Sequence, residues 1–206
     1  MKRVAIIIIL ILSLTNCSDK PYPYKDLKLP KTNDYYQIVI AILKQDTTFI
    51  NPDFLKSGYI SSDLTKLKIR LTPRKHDTTS VAIFCPQVIS TSLLELLYYN
   101  ITNSANRSVD SLYFSFQNDS TKQIFIDSMA INFIKLATKE IKIKNEKNKY
   151  FGYFQFSVPI LNKNMTKAFV EADFICSGLC GQGVTCILEK INNEWKLTLV
   201  KIRWEG

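Results

Sequence analysis

The sequence predicts an α+β domain, with N-terminal helices packed on a C-terminal antiparallel β-meander. Three observations predict it. Residues 34–45 place apolar side chains at helical spacing. The last quarter of the chain alternates apolar and polar side chains in four successive runs. Short breaks rich in Asn and Gly separate those runs, and these residues suit tight turns. A chain of 206 residues is long enough for one domain with a real core. Its composition is 46% hydrophobic and 22% charged, which argues against wholesale disorder.

The N-terminus reads MKRVAIIIILILSLTNCSDK. Lys2 and Arg3 form a positive start, and Val4 to Leu12 is unbroken apolar sequence. Spanning a bilayer takes about 20 apolar residues, so this segment has the layout of a secretory signal instead. Leu14, Thr15, Asn16 and Cys17 resemble the bacterial lipobox, in which cleavage precedes a cysteine that becomes lipidated. Asn16 departs from the usual small residue before that cysteine. We therefore expect residues 1–16 to be a lipoprotein signal peptide and residues 17–32 a lipid anchor and tether. Residues 33–206 would form a single α+β domain. Ser18 to Lys31 contains three prolines and no apolar periodicity, as an extended tether would.

The elements follow in order. Thr32 or Asn33 caps a helix over 34–45 whose apolar face is Tyr35, Ile38, Val39, Ile42 and Leu43. Residues 47–63 read as loop. Leu67, Ile69 and Leu71 alternate with Lys68 and Arg70 as a strand. A second helix is expected over 90–100 and a polar break over 101–110. Leu112, Phe114 and Phe116 alternate as a strand, and residues 118–122 as a turn. Residues 123–144 read as strands about a bend near Asp127 to Met129, with a short helix allowed at one end. Lys142 and Lys144 alternate with Ile141 and Ile143, which suggests a solvated strand face rather than a polyanion-binding patch. The tail is clearer. Ala168, Val170, Ala172 and Phe174 share one strand face, as do Val184, Cys186 and Leu188. Asn162 to Asn164 and Asn192–Asn193 mark turns.

The net charge of +9 falls by two when Lys2 and Arg3 leave with the signal. An exported chain without a nucleic-acid motif is not expected to bind nucleic acid. Export also favours disulfides. With Cys17 lipidated, Cys85, Cys176, Cys180 and Cys186 remain as candidates, and three connectivities are open. A Cys176–Cys180 bridge would staple a glycine-permitted turn with Leu179 at its tip. A Cys85–Cys186 bridge would close a loop of about 100 residues and contribute roughly 4.7 kcal/mol on the chain-entropy formula.

Other chemistry fits poorly. One Cys-x3-Cys pair lacks a second Cys/His pair for zinc. It also lacks the Cys-x-x-Cys spacing of a redox centre. Gly178, Gly181 and Gly183 precede a strand, whereas phosphate loops open a helix. His76 is the only histidine and sits in a polar loop, so no catalytic triad suggests itself. Glu171 and Asp173 share a strand face and suit solvent exposure better than acid–base work. No metal, cofactor or catalytic residue is expected.

The tail carries a resemblance. It runs FSVPILNKNMTKAFV, CSGLCGQGVTCILEKINNEWKL and a terminal Trp204. The positions concerned are Ser157, Pro159, Asn162, Lys163 and Thr166 to Ala168. Cys176, Gly178, Cys180, Gly181, Gly183, Leu188 to Lys190, Trp195 and Trp204 complete them. This pattern resembles the C-terminal signature of a family of Bacteroidetes-type lipoproteins and secreted proteins without an assigned activity. The match covers the last quarter of the chain. Ile160 stands where an aromatic is common, and Cys186 is extra. The resemblance implies a helix-and-meander layout similar to cystatin-like or nuclear-transport-factor-like scaffolds.

The expected function is a membrane-tethered, non-enzymatic binding module of the bacterial envelope, more on the outer than the inner membrane. Its partners would be the membrane, through Cys17, and a protein or small molecule bound at the concave meander face or near Leu179. The alternative is an envelope hydrolase using carboxylates in a sheet cavity. A third reading is toxin immunity or surface-structure assembly.

Overall fold

A computed structural model describes residues 27–46, 50, 58–70, 90–92, 96, 107–129, 131–145, 151–176 and 181–205 of the 206-residue chain. The expected signal peptide, Cys17 and the tether up to residue 26 lie outside the described residues. So do His76, Cys85, Leu179 and Cys180.

The fold is mixed α+β, built on a large and mostly antiparallel sheet. Its strands are β1 (Tyr59–Ser61), β6 (Lys135–Ala137), β7 (Gly152–Phe156), β8 (Ile160–Leu161), β9 (Lys167–Cys176), β10 (Gly181–Ile191) and β11 (Glu194–Glu205). The spatial order is β11-β10-β9-β7-β1-β6, with β8 also paired to β9. Strands β7, β9, β10 and β11 form the expected antiparallel meander. Beyond β7 the sheet turns parallel, because β1 pairs in parallel with both β7 and β6. Two small pairs flank it. They are β2 (Asp63–Leu64) with β5 (Ile124–Phe125), and β3 (Lys68–Arg70) with β4 (Ser90–Ser92).

The meander's turns obey local chemistry. Asn192 and Asn193 have φ of 51° and 66°, the left-handed pair that a two-residue hairpin needs. The buried Asn162 side chain accepts the backbone N–H groups of Thr166 (2.8 Å) and Lys167 (3.0 Å), which closes the preceding turn.

Helix α1 (Thr32–Gln45) starts two residues before the expected point. Asp34 sets that start, since its carboxylate accepts the Lys31 N–H at 2.8 Å. All five predicted core residues of α1 are buried. They pack on the meander face formed by Ala168, Val170, Ala172, Val184, Cys186 and Leu188, as the alternation requires. At its far end α1 blunts the sheet edge. The Gln45 amide donates to Trp195 O (2.8 Å) and accepts from Leu197 N (3.1 Å), imitating one more strand.

Several expectations are corrected. The segment around Leu112, Phe114 and Phe116 is not a strand but part of helix α2 (Arg107–Ser120), which also takes in the end of the expected polar break. The true inward face is Tyr113, Phe114 and Gln117, with Leu112 turned outward. A polar residue on the buried face concealed the helical period. Gln117 donates to Leu161 O (3.1 Å) and accepts from Leu161 N (3.0 Å), so it docks α2 against β8. Ser90–Ser92, expected to begin a helix, pairs with β3 instead, though Leu96 is helical and buried. Residues Lys139–Asn145 form helix α3, the short helix allowed at one end of 123–144 rather than the solvated strand face, and its first turn sits on Thr138. The helices are therefore not confined to the N-terminal half. Strand β1 lies in a stretch read as loop, because only three residues carry it.

The second face of the meander is also covered. Phe169 and Ile187 pack there with Ile160, Tyr113, Phe114, Leu67 and Leu96. Gln117→Leu should keep the volume but orphan the Leu161 backbone groups. A loss of about 2–3 kcal/mol is expected in urea unfolding, with an unchanged m-value. An unchanged midpoint would mean that apolar side chains alone dock α2.

Candidate functional site

Strand alternation puts Phe169, Glu171 and Asp173 on the meander face away from α1. Sequence reasoning placed the two carboxylates toward solvent. The structure buries them, at 1% and 2% exposure. Cross-strand neighbours fix their setting. Thr185 and Gly183 of β10 stand beside Glu171 and Asp173, and Gln155 of β7 stands on the other side of Asp173.

The counter-charge comes from β11. Arg203 Nη2 lies 2.5 Å from Asp173 Oδ1, and Nη1 lies 3.4 Å from Glu171 Oε2. One guanidinium thus spans both carboxylates, the fork geometry that suits arginine better than lysine. The Trp204 indole N–H also donates to Asp173 Oδ1, at 3.2 Å. The indole crosses β10 to make this bond, and Gly183 lets it pass. A Cβ on Gly183 would collide with both the indole and the Asp173 carboxylate. A slip in the β10–β11 register between Gly183 and Val184 accompanies the crossing. On the far side, Ser157 Oγ accepts the Glu171 N–H (2.9 Å), which ties this part of β9 to the end of β7.

Burial raises the Asp173 pKa, and Arg203 and Trp204 only partly offset that effect. Folded Asp173 therefore retains its proton to higher pH than unfolded Asp173. Its stabilising proton uptake is complete below the unfolded pKa and is lost as pH rises through the raised folded value.

A second polar cluster joins β1, β2, β7 and α3. Lys142 Nζ donates to Ser61 Oγ (2.7 Å) and lies 3.4 Å from Asp63 Oδ1 and 4.6 Å from the Tyr153 ring centroid. Ser61 Oγ in turn donates to Asp63 Oδ1 at 2.9 Å. This superficially matches a serine–lysine nucleophile. The Ser61 hydroxyl is engaged by Asp63 as well, however. Ser61 is also buried and out of a substrate's reach. Burial, with a smaller effect from Asp63, raises the Tyr153 pKa.

Cysteine placement settles part of the sequence's ambiguity. Cys176, at the end of β9, is disulfide-bonded, and its partner lies outside the described residues. Cys186 is a free thiol buried under α1, with its pKa pushed up by burial. The Cys85–Cys186 staple is therefore not formed: Cys186 faces the apolar core. Among the described residues no group of three or more His, Cys, Asp or Glu is arranged to hold a metal ion.

Sequence reasoning singled out neither Arg203 nor the role of Gly183. The available signal was weak, because Arg203 shares its strand with Glu194, Lys196, Thr198, Lys201 and Glu205, and only the strand register brings it to β9. Comparison with known protein families, curated proteins and solved structures finds no match to this chain.

Two outcomes test the cluster. Arg203→Met should cost about 3–5 kcal/mol at neutral pH by leaving buried carboxylates without their cation. That deficit should shrink on acidification, as read from urea midpoints across pH. Gly183→Ala should cost about 1–3 kcal/mol through overpacking. A Gly183→Ala protein as stable as its parent would show that the indole crossing is dispensable.

Proposed function

We propose that this chain is a lipid-anchored, non-enzymatic binding module of the bacterial cell envelope. The carrying observation is the neutralised carboxylate pair. A general acid or base must reach a substrate proton. Here Asp173 Oδ1 already takes two donors, and Arg203 spans Asp173 and Glu171 inside the sheet packing. The arrangement serves cohesion better than turnover, so the hydrolase alternative is the weaker reading.

Anchoring rests on the N-terminal segment ending in Cys17. Three acyl chains there would exceed what stable attachment needs. The outer membrane is the favoured location. Among the described residues no helix is long and apolar enough to cross a membrane. A helix laid across one face of a meander is compatible with a cystatin-like or nuclear-transport-factor-like layout. The partner class is a protein or small molecule, engaged at the meander's concave face or near Leu179. The Cys176 bridge is assigned to Cys180, the cysteine nearest in sequence, as a staple of the β9–β10 turn.

Cys17→Ser should move the protein out of the membrane pellet on cell fractionation and abolish acyl mass at the N-terminus. Retention of the variant in the pellet at parental levels sinks the anchor. Non-reducing peptide mapping should recover residues 176 and 180 in one linked fragment. A hydrolytic activity lost in Glu171→Gln, with folding intact, would replace the binding reading by the enzymatic one.

A further inference from the structure

The segment from β5 to β6 has two opposed sets of side chains. Ile126, Ile131 and Ile134 turn inward and join the core under α1. Phe125, Met129 and Phe133 turn outward and are 61%, 87% and 38% exposed. The three recur every four residues. Burying one side chain of this size is worth more than most surface contacts, so leaving three unburied in one short segment calls for a partner.

The segment runs beside α1. Tyr36, in the first turns of α1, donates its hydroxyl to Phe125 O at 2.5 Å. Lys44, in the last turn, lies over the Phe133 ring at 5.6 Å. The apolar ridge therefore follows the helix from its start to its end. That start is also where the N-terminal arm enters. Residues 27–31 lead directly into α1 from the α2 side, where Leu27 packs on the Tyr113 cluster and the Lys28 carbonyl accepts the Tyr113 hydroxyl at 3.1 Å. Tyr36 lies roughly 6 Å along the helix axis from Thr32. Ten residues separate Leu27 from Cys17, so the anchor cannot hold the domain more than about 35 Å from the bilayer.

Charge points to the same occupant. Lys44 lies over Phe133, and the exposed Lys122 and Lys135 flank the segment in sequence. Asp127 is the one acid between residues 122 and 135, and its carboxylate accepts the Met129 N–H at 2.9 Å. The net charge of +9 stays positive after the loss of Lys2 and Arg3 with the signal. Large apolar tips flanked by lysines suit an anionic lipid surface, where the tips enter the headgroup–acyl boundary and the ammonium groups meet lipid phosphates.

We infer that Phe125, Met129 and Phe133 form a lipid-docking ridge that lays the α1 face of the domain on the membrane to which Cys17 tethers it. This orientation rests on the proposed anchor. It leaves the side that carries α2, with Arg203 at its margin, directed away from the bilayer.

The test uses full-length protein purified from membranes and reconstituted in phosphatidylglycerol–phosphatidylethanolamine vesicles that carry doxyl-labelled lipid. Met129→Trp places a reporter on the ridge. Lys196→Trp places one on β11, facing away from α1. After subtraction of the parent's signal, the reporter at 129 should be blue-shifted and lose roughly half its emission to the lipid-borne quencher. The reporter at 196 should be unaffected. No quenching at 129, or equal quenching at both positions, overturns the inference. So does a blue shift at 129 that depends on protein concentration without lipid, since that would assign the ridge to a second copy of the chain. Acyl mass at Cys17 is read separately by mass spectrometry. An unacylated protein that still shows quenching at 129 keeps the ridge and removes the anchor. An acylated protein without quenching does the reverse.

Discussion

Strand β9 is buried on both faces, and the rest of the structure answers that constraint. Six consecutive residues, Ala168 to Asp173, are buried. A strand in that position cannot alternate between core and solvent. Its apolar set packs on α1, and its other set needs a cover of its own. Along most of that second face the cover is apolar, from Phe169 and Ile187 to Tyr113 and Phe114. At Glu171 and Asp173 it is ionic. Leaving two carboxylates in that environment uncompensated would cost several kcal/mol each, so the strand two places away supplies Arg203 and Trp204.

This explains why small details of the tail matter together. Gly183 leaves room for the indole, the β10–β11 register slips beside it, and Ser157 ties Glu171 to the end of β7. Each is a local choice that makes sense only with the others in place. The same logic appears at Gln45 and Gln117. In both cases a side-chain amide satisfies a strand's backbone from outside the sheet, one at the β11 edge and one at β8. The protein uses buried polar groups to join its layers, and these joints give it a defined arrangement where apolar packing alone would permit sliding.

A division of labour follows. The side under α1 carries the larger apolar core and the ridge of Phe125, Met129 and Phe133. The opposite side carries α2 and the charged cluster. On the proposed reading, the tethered domain rests the α1 side on its membrane and turns the α2 side to the surroundings.

The sequence by itself determined the meander, because period-two alternation and Asn turns are local and strong. It determined α1 for the same reason, since five apolar residues at helical spacing leave little choice. It also suggested, through Cys17 and the apolar segment before it, where such a domain would be held. Tertiary structure alone decided the rest. Leu112, Phe114 and Phe116 look like a strand until Gln117 is seen to face inward, and only β8 gives that glutamine a reason to do so. Glu171 and Asp173 look solvent-facing until Arg203 arrives from 30 or more residues away. Lys142 looks like part of a solvated strand until it meets Ser61, 81 residues earlier. Cys186 could have been half of a disulfide until α1 closed over it. In each case the deciding partner is distant in sequence, and the cost of burying a polar group is set by that partner rather than by its neighbours along the chain.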